Sequence, residues 1–396
     1  MKRRLTDIVR CPSCLARLTL HVLLEDIGTA GEPGGSDVDE GFLACTACRL
    51  LYPVIAGVPR LTRNAAEEHR AFYQDNRSFI GELAGQNNLP AEAGSHVGQR
   101  IGGLPGSVYH ARSNKSFSLQ WQMYQYDDHT WFKDDADLRR REFLYGMDLE
   151  EKDLNGRLIL DAGCGNGRLT SSIARYGAEV VGIDLSSSIE RAHQNRRRFA
   201  GGQAPFVHFV QANVMEPPFA PETFDHIHTT GVLHHTPDTE KAFLSFLRLG
   251  RPGGRVYVQL YRRREAWVRI INQCLRAVTT RLPVRLLYAL CYLMAPVHTA
   301  IIRVVAWCRG ETTPLPGFSR RERAISMFDH FSPRYQYRYT PAQVRAMFER
   351  AGVTDVKDVT LDNEARHMVA FVGNKASHLR QGSGGQAEVC VASAAS

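Results

Sequence analysis

The chain has 396 residues, enough for two or three domains. Its 43% hydrophobic and 23% charged content is that of a soluble globular protein and sets aside a wholly disordered one. The formal charge of +8 permits an anionic partner without requiring one.

The opening stretch, MKRRLTDIVRCPSC, is basic but has no apolar core behind it, so it does not read as a secretory signal. Four of the nine cysteines form two tight pairs, Cys11 with Cys14 (CPSC) and Cys45 with Cys48 (CTAC). Such usage is not a disulfide framework. It favours a reducing compartment, the cytosol, and a metal site. Two C-x-x-C knuckles can present four thiolates to one tetrahedral ion, which suits Zn²⁺. No histidine lies within either knuckle, so the site reads as structural. RLLYPVIAGVPRL follows Cys48. With the paired cysteines, residues 52–54, Gly57 and Pro59, this segment resembles the small zinc-ribbon activator family that partners tRNA and protein methyltransferases. The resemblance implies a ribbon over residues 1–62 that binds and steadies a methyltransferase, here within the same chain.

Residues 63–135 read as a linker and an aromatic cap. The linker part is polar and Gly-rich (AGQNNLPAEAGSHVGQRIGGLPG). The cap part, SNKSFSLQWQMYQYDDHTWF, carries Phe117, Trp121, Tyr124, Tyr126, Trp131 and Phe132. It either covers a ligand or packs between ribbon and core.

From 136 to 261, short apolar runs alternate with helical patterns, which is the signature of βαβ units and a parallel sheet. LILDAGCGNGRLT begins with a buried strand and turns into a helix that ends at Gly177. Its glycines, Gly163, Gly165 and Gly167, sit in the strand-to-helix turn, where a ligand can approach backbone. The dinucleotide fingerprint places its third glycine where this chain has Arg168, which argues against a pyrophosphate-bearing cofactor. A second strand, EVVGIDLS, ends in Asp184, nineteen residues after Gly165. An acidic residue there can accept hydrogen bonds from ribose hydroxyls, or it can cap the next helix. The third strand leads to Asn213 and Val214. The fourth ends at Gly231, ahead of His234 and His235. The fifth is RVYVQLY.

The order D-x-G-x-G-x-G, GIDLS, FDHIHTTGVLHHTPD, LRLGRPGGRVYV resembles the class I S-adenosylmethionine-dependent methyltransferases, most like the small-molecule and quinone-biosynthesis C-methyltransferase branch. The resemblance covers residues 157–261 and resumes at YTPAQVRAMFERAGVTDVKDV. It implies an α/β, Rossmann-like seven-stranded sheet of order 3-2-1-4-5-7-6 with the last strand antiparallel. By position, Asp161, Gly163 and Gly165 hold the methionine part of S-adenosylmethionine, with Ala162 and Cys164 in the same turn. Asp184 holds the ribose, Leu185 flanks the adenine, Asn213 and Val214 face its edge, and Gly231 borders the site. Many relatives have aspartate where this chain has Asn213. In related enzymes an F-x-x-Q-W stretch, here Phe117 to Trp121, precedes the core. Transfer from a sulfonium needs an aligned nucleophile, exclusion of water and, for a hydroxyl or acidic carbon, a base. His234 and His235 are the candidates for that base, or else packing residues. Cys164 reads as a space-filler rather than a nucleophile.

Residues 262–332 form a greasy helical insertion. The span 286–302 carries no charge, is just under a typical membrane span and contains Pro296 and His298. It reads as a substrate lid over the site, with peripheral membrane contact through 265–308. Residues 333–374 return to a helix and two strands, and 375–396 read as a disordered tail. The basic triplets at 139–141, 196–198 and 262–264 read as solvated faces or, alternatively, as nucleic-acid contacts. Ribosomal RNA guanine methyltransferases also join a zinc module to this fold, which makes an rRNA or tRNA base methyltransferase the rival. Against it, aromatic-basic interleaving and an N/D-P-P-[YF] motif after strand four are absent. A non-catalytic scaffold is a third class; the intact Asp161, Gly163, Gly165 and Asp184 speak against it. The expected protein is thus a zinc-ribbon-bearing methyltransferase of a small, partly apolar acceptor, with the acceptor atom and oligomeric state left open.

Overall fold

The computed structural model describes residues 1–26, 36–87, 106–123, 143–308, 310, 319–362 and 367–377. Eleven strands make one sheet. Four come from the ribbon: β1 (Thr19–Asp26), β2 (Asp37–Cys45), β3 (Leu50–Ile55) and β4 (Val58–Leu61). Seven belong to the core: β5 (Leu158–Ala162), β6 (Glu179–Asp184), β7 (Val207–Ala212), β8 (His226–Thr230), β9 (Arg255–Tyr261), β10 (Val353–Asp358) and β11 (Met368–Lys375). The order across the sheet is β1-β2-β3-β4-β7-β6-β5-β8-β9-β11-β10. Counted within the core alone, that is 3-2-1-4-5-7-6. β5 to β9 run parallel, and β11 is antiparallel to both neighbours. Every residue of β7 is buried, as both faces of a parallel strand must be.

The ribbon is not a separate bead. β4 pairs in parallel with β7, placing Arg60 beside Gln211 and Leu61 beside Ala212. This removes the open edge that β7 would otherwise present. Behind the seam, Leu43 and Val54 of the ribbon share one apolar core with Val181, Val210 and Phe224. Charged groups bury there only in pairs. Arg60, 1% exposed, donates to Glu190 at 2.9 Å and to Gln211 at 3.3 Å. Arg196 donates to Asp37 at 2.6 Å. The 196–198 triplet is therefore not a uniformly solvated face: Arg196 is a buried cross-domain ion pair.

Two other expectations need correction. Residues 65–87 are not linker but short helices that lay Tyr73, Ile80 and Leu83 on Phe42 and Leu51 of the ribbon. The Gly-rich composition of the later residues hid their helical apolar spacing. The tail does not begin at 375, because β11 includes Lys375, whose ammonium donates to the Gly250 carbonyl at 2.6 Å. The remaining tail from 378, the Arg139 triplet, and Tyr124, Tyr126, Trp131 and Phe132 lie outside the described residues.

The helices that matter for the site are α1 (Gly106–Met123), α2 (Arg168–Ile173), α3 (Ser188–Ala200), α4 (Thr239–Leu247), α5 (Ala266–Thr279), α6 (Val284–Cys308), α7 (Arg320–Phe331) and α8 (Pro341–Arg350). α6 runs unbroken through Pro296 for 25 residues. One stripe, Leu287, Cys291 and Ala295 at i, i+4 and i+8, packs on Ala324 and Phe328 of α7. No residue of α5 is buried.

Candidate functional site

The turn after β5 stands at the carboxyl edge of the sheet, and its glycines meet three different neighbours. A Cβ on Gly163 would lie 2.0 Å from Val232 Cγ2, in the loop after β8. Gly165, at φ 56°, faces Trp121 of α1, whose Cζ2 would be 2.3 Å from an added Cβ. Gly167, at φ 71°, is pressed between the Phe209 ring and Ala192, at 2.5 and 2.6 Å. All three, Gly163 at φ 83° included, thus combine a left-handed backbone with a close approach, and only glycine meets both demands.

Asp161 is 4% exposed, with one described partner on each carboxylate oxygen. Its Oδ2 accepts from Thr170 Oγ1 at 2.6 Å, and its Oδ1 is 3.2 Å from His228 Nδ1. The His228 ring stacks on Tyr257 at 4.8 Å and 5°, and its Nε2 lies 3.1 Å from Thr230 Oγ1. This Thr170–Asp161–His228–Thr230 chain escaped sequence reasoning. The signal was available: HIHTT places His226, His228 and Thr230 on one face of a strand with period two.

Asp184 accepts from the Gly165 N–H at 2.9 Å through Oδ2, and from Ser186 N–H and Oγ at 2.8 and 2.6 Å through Oδ1. Burial raises its pKa, and the Ser186 and Gly165 bonds oppose that rise. Three of roughly four acceptor positions on the carboxylate are in use, so it has room for one more donor, not for two hydroxyls without rearrangement. Leu185 offers its carbonyl to Gln211 Nε2 at 3.0 Å. Asn213 Oδ1 accepts from Met215 N–H at 3.0 Å in an Asx turn, and Val214 is buried beside it. Ala162 is buried at the end of β5, and Gly231 follows β8 at φ 73°. The Cys164 thiol is buried next to Asp184 and Asp161, and both the burial and the carboxylates push its pKa well up. That environment suppresses the thiolate, as the space-filler reading requires.

His234 is 0% exposed, its ring centroid 4.0 Å from that of Tyr261. Neither of its nitrogens has a partner among the described residues. His235 Nδ1 is 2.9 Å from the Tyr335 carbonyl, and its ring sits 5.4 Å from Phe117 of α1. Burial drives both imidazoles down from the usual histidine range, so both are neutral at physiological pH, the state a base needs.

The element lying across the site is α1, not the insertion. Trp121 covers Gly165, Ser118 Oγ accepts from Ser187 N–H at 3.0 Å beside Asp184, and Phe117 meets His235. α7 backs α1 through the bond from Ser116 to Ser332 and through Gln120 to Asp329 at 2.9 Å. α6 lies behind α7. α6 and α7 thus form a layer behind α1, and the large apolar side chains of α5 and α6 face outward.

In the ribbon, the sulfurs of Cys11, Cys14, Cys45 and Cys48 all lie within 4.8 Å of one another. Zn–S bonds of 2.3 Å in a tetrahedron separate sulfurs by about 3.8 Å, so the cluster fits a zinc ion. The Cys48 N–H donates to Cys45 Sγ at 3.4 Å, and Tyr52 Oη lies 3.4 Å from Cys11 Sγ, a supporting layer of the kind metal sites use.

A parallel sheet that changes direction at β5, with a glycine turn and two acidic residues at its carboxyl edge, has the architecture of a class I methyltransferase domain. Residues 160–258 match the methyltransferase domain family, and residues 2–57 match the Trm112p-like protein family. The second of these stretches carries the four cysteines, and the first the glycine turn and Asp184. It is similar to the ubiquinone biosynthesis O-methyltransferase of Aromatoleum aromaticum, at 32% identity over 33% of this chain and 56% of the relative. It is 41% identical to the enzyme of the same name from Alkalilimnicola ehrlichii, over 26% of this chain and 41% of the relative. The chain spans about half the length of these curated relatives. They are O-methyltransferases, not the C-methylating branch expected. A solved chain from the complex between the Haloferax volcanii Trm112 methyltransferase activator and the putative methyltransferase is 14% identical. It superposes with a TM-score of 0.38 over 68% of this chain and 98% of that one.

Proposed function

We propose that the chain transfers a methyl group from S-adenosylmethionine to a hydroxyl of a small, partly apolar molecule of the quinol kind. The observation that carries this reading is the convergence of Asp161, the Gly165 turn, Asp184 and Trp121 at one edge of the sheet. Bound there, S-adenosylmethionine supplies an electrophilic methyl carbon on a good leaving group. Asp161, held by Thr170 and His228, faces the amino-acid end, with Ala162, Gly163, Cys164 and Gly165 as the floor and Gly231 at the border. Asp184 accepts a ribose hydroxyl, Leu185 flanks the adenine, and Asn213 and Val214 meet its edge. The Asn213 oxygen is already engaged by Met215, so its amide N–H is the group that reaches the ring. Trp121 and Phe117 exclude water. A neutral imidazole, His235 or His234, takes the acceptor's proton.

The outward faces of the insertion support a second element of the reading: residues 265–308 rest on a membrane. Trp267, Ile270, Ile271, Leu275 and Val278 are exposed along one side of α5, as are Leu286, Leu290, Leu293, Val297, Ile301 and Val304 along α6. A contiguous apolar surface of this kind needs a partner. Residues 262–308 hold eight arginines and a single acidic residue, Glu265, a balance suited to anionic lipid. At 1.5 Å per residue α6 is about 37 Å long, enough to cross a bilayer by length and composition alone. Its packing on α7 favours the surface mode.

The test is calorimetry with S-adenosylmethionine, then methyl transfer from labelled cofactor to a short-chain quinol or to RNA. Asp184→Ala should weaken cofactor binding about tenfold or more, since a charge-assisted hydrogen bond is worth roughly 1.5–3 kcal/mol. Unchanged affinity would remove the ribose assignment, and label in RNA but not quinol would give the rival its case.

A further inference from the structure

The methyl-transfer reading does not account for a cavity beside the site. It has a volume of about 1050 Å³ and lies where α1, the turn between α5 and α6, and the segment after α7 meet. Lys115, Arg276, Arg281 and Arg334 line it, with Tyr335 and Val284 among the remaining walls, and no acidic residue is among its described lining. None of the four cations forms a described ion pair. Arg276 is held by carbonyls instead, donating to His330 O at 2.7 Å and to Pro333 O. That fixes its guanidinium without neutralising it.

The wall behind the cavity is cationic as well. Burial, and then Arg338, lower Arg276 to about 10. Burial followed by Arg338, Arg276 and Arg264 drives His330 down to about 3. The nearby carboxylate, Asp329, already accepts from Gln120 and from Tyr261 Oη at 2.8 Å. Like charges gathered in a half-buried recess raise one another's energy, and an anion entering it relieves that cost. Guanidinium forks suit carboxylate and phosphate oxygens in particular.

The cavity's position says what carries the anion. At one end the Tyr335 carbonyl binds His235, and Phe117, two residues from Lys115, packs on the same imidazole. At the other, α5 turns its polar side (Gln273, Arg276, Thr280) to the cavity and its apolar side (Ile270, Ile271, Val278) outward. We propose that this cavity binds the oxyanion group, carboxylate or phosphate, of an amphiphilic methyl acceptor, with its reacting ring directed at His235 and its apolar chain leaving along α5. The assignment rests on the methyl-transfer reading for the acceptor role, and on the cavity alone for the anion.

The experiment titrates the full chain by calorimetry with decyl phosphate below its micelle concentration, decanoate, decanol and inorganic phosphate. Either anionic amphiphile should bind at least tenfold more tightly than decanol and than inorganic phosphate. Arg281→Gln with Arg334→Gln, two exposed side chains, should weaken that binding at least tenfold while S-adenosylmethionine affinity stays unchanged. Decanol binding equal to both anions would make the site merely apolar, and inorganic phosphate binding equally well would make it a free-anion site; either overturns the proposal. So does wild-type amphiphile affinity in the double variant. A short RNA that binds where neither amphiphile does, and is lost in the double variant, would assign the cavity to a nucleic-acid backbone instead. Failure of the wild type to bind S-adenosylmethionine, read in its own titration, strikes the methyl-transfer reading and leaves the anion result standing.

Discussion

Replacing Gly165 or Gly167 with alanine makes the same chemical change two residues apart, yet the structure assigns the two variants different consequences. Both glycines sit at positive φ, 56° and 71°, so each alanine carries about 1–2 kcal/mol of backbone cost. At Gly167 the new methyl also meets the Phe209 ring at 2.5 Å and Ala192 at 2.6 Å, both buried in the core between sheet and helix. Overpacking of that kind adds about 1–3 kcal/mol, for a total near 2–5 kcal/mol. At Gly165 the obstacle is the far edge of the Trp121 indole, near the end of α1, and that side chain can swing away. Gly165→Ala should therefore lose little stability beyond the backbone term but dislodge Trp121 and weaken cofactor binding. Denaturant unfolding gives the first quantity and calorimetry with S-adenosylmethionine the second. Emission from Trp121, with the other three tryptophans replaced by phenylalanine, reports the third. Equal destabilisation by the two alanines would refute the packing argument. An unshifted Trp121 spectrum in Gly165→Ala would refute the assignment of that residue as the cover of the turn.

Two further outcomes follow from burial and from the shared sheet. Metal analysis should give one zinc per chain, and its removal with a chelator should lower the unfolding midpoint of the methyltransferase core as well, because β4 and Arg60 are bonded to β7 and α3; a core midpoint indifferent to the chelator would contradict that coupling. His226 accepts from the Arg255 N–H at 3.1 Å and is held to about 4, mainly by burial, below its unfolded value near 6.5. The unfolded chain then takes up more protons, so this contribution is complete above about pH 6.5 and falls as the pH drops, by about 3 kcal/mol at pH 4. His226→Gln should flatten the acid limb of a stability-against-pH curve, and a parallel curve would count against the shift.

Where a residue's position depends on its own strand or turn, the sequence carried it. The three glycines, Asp184 and the paired cysteines stand where their spacing put them, because a strand's end and a C-x-x-C knuckle are local objects. The insertion was legible as helix and as apolar, but not in orientation. A stripe such as Leu286, Leu290, Leu293 and Val297 reads alike whether it faces a substrate or a membrane. Only the packing of Leu287, Cys291 and Ala295 on α7 shows which side is turned in. The site histidines divide in the same way. HIHTT reveals its period, but that His228 meets Asp161 depends on β8 lying beside β5.

The seam between the domains is the least local feature. Nothing near VPRL says that it will pair with a strand some 150 residues away, and a basic residue in a ribbon reads as surface. In the fold Arg60 is buried and bonded to Gln211, and Gln211 in turn holds the Leu185 carbonyl at 3.0 Å. Asn213 and Val214 follow directly after β7, the strand that β4 borders. The ribbon therefore stands one hydrogen-bonded residue from the loop assigned to the adenine. A domain placed there fixes the register of β7 and the path of the β6–α3 loop, so its stability is part of the stability of the cofactor site. That gives the four cysteines a physical route to the methyltransferase domain, through backbone pairing and a buried guanidinium rather than through any contact with the reacting atoms.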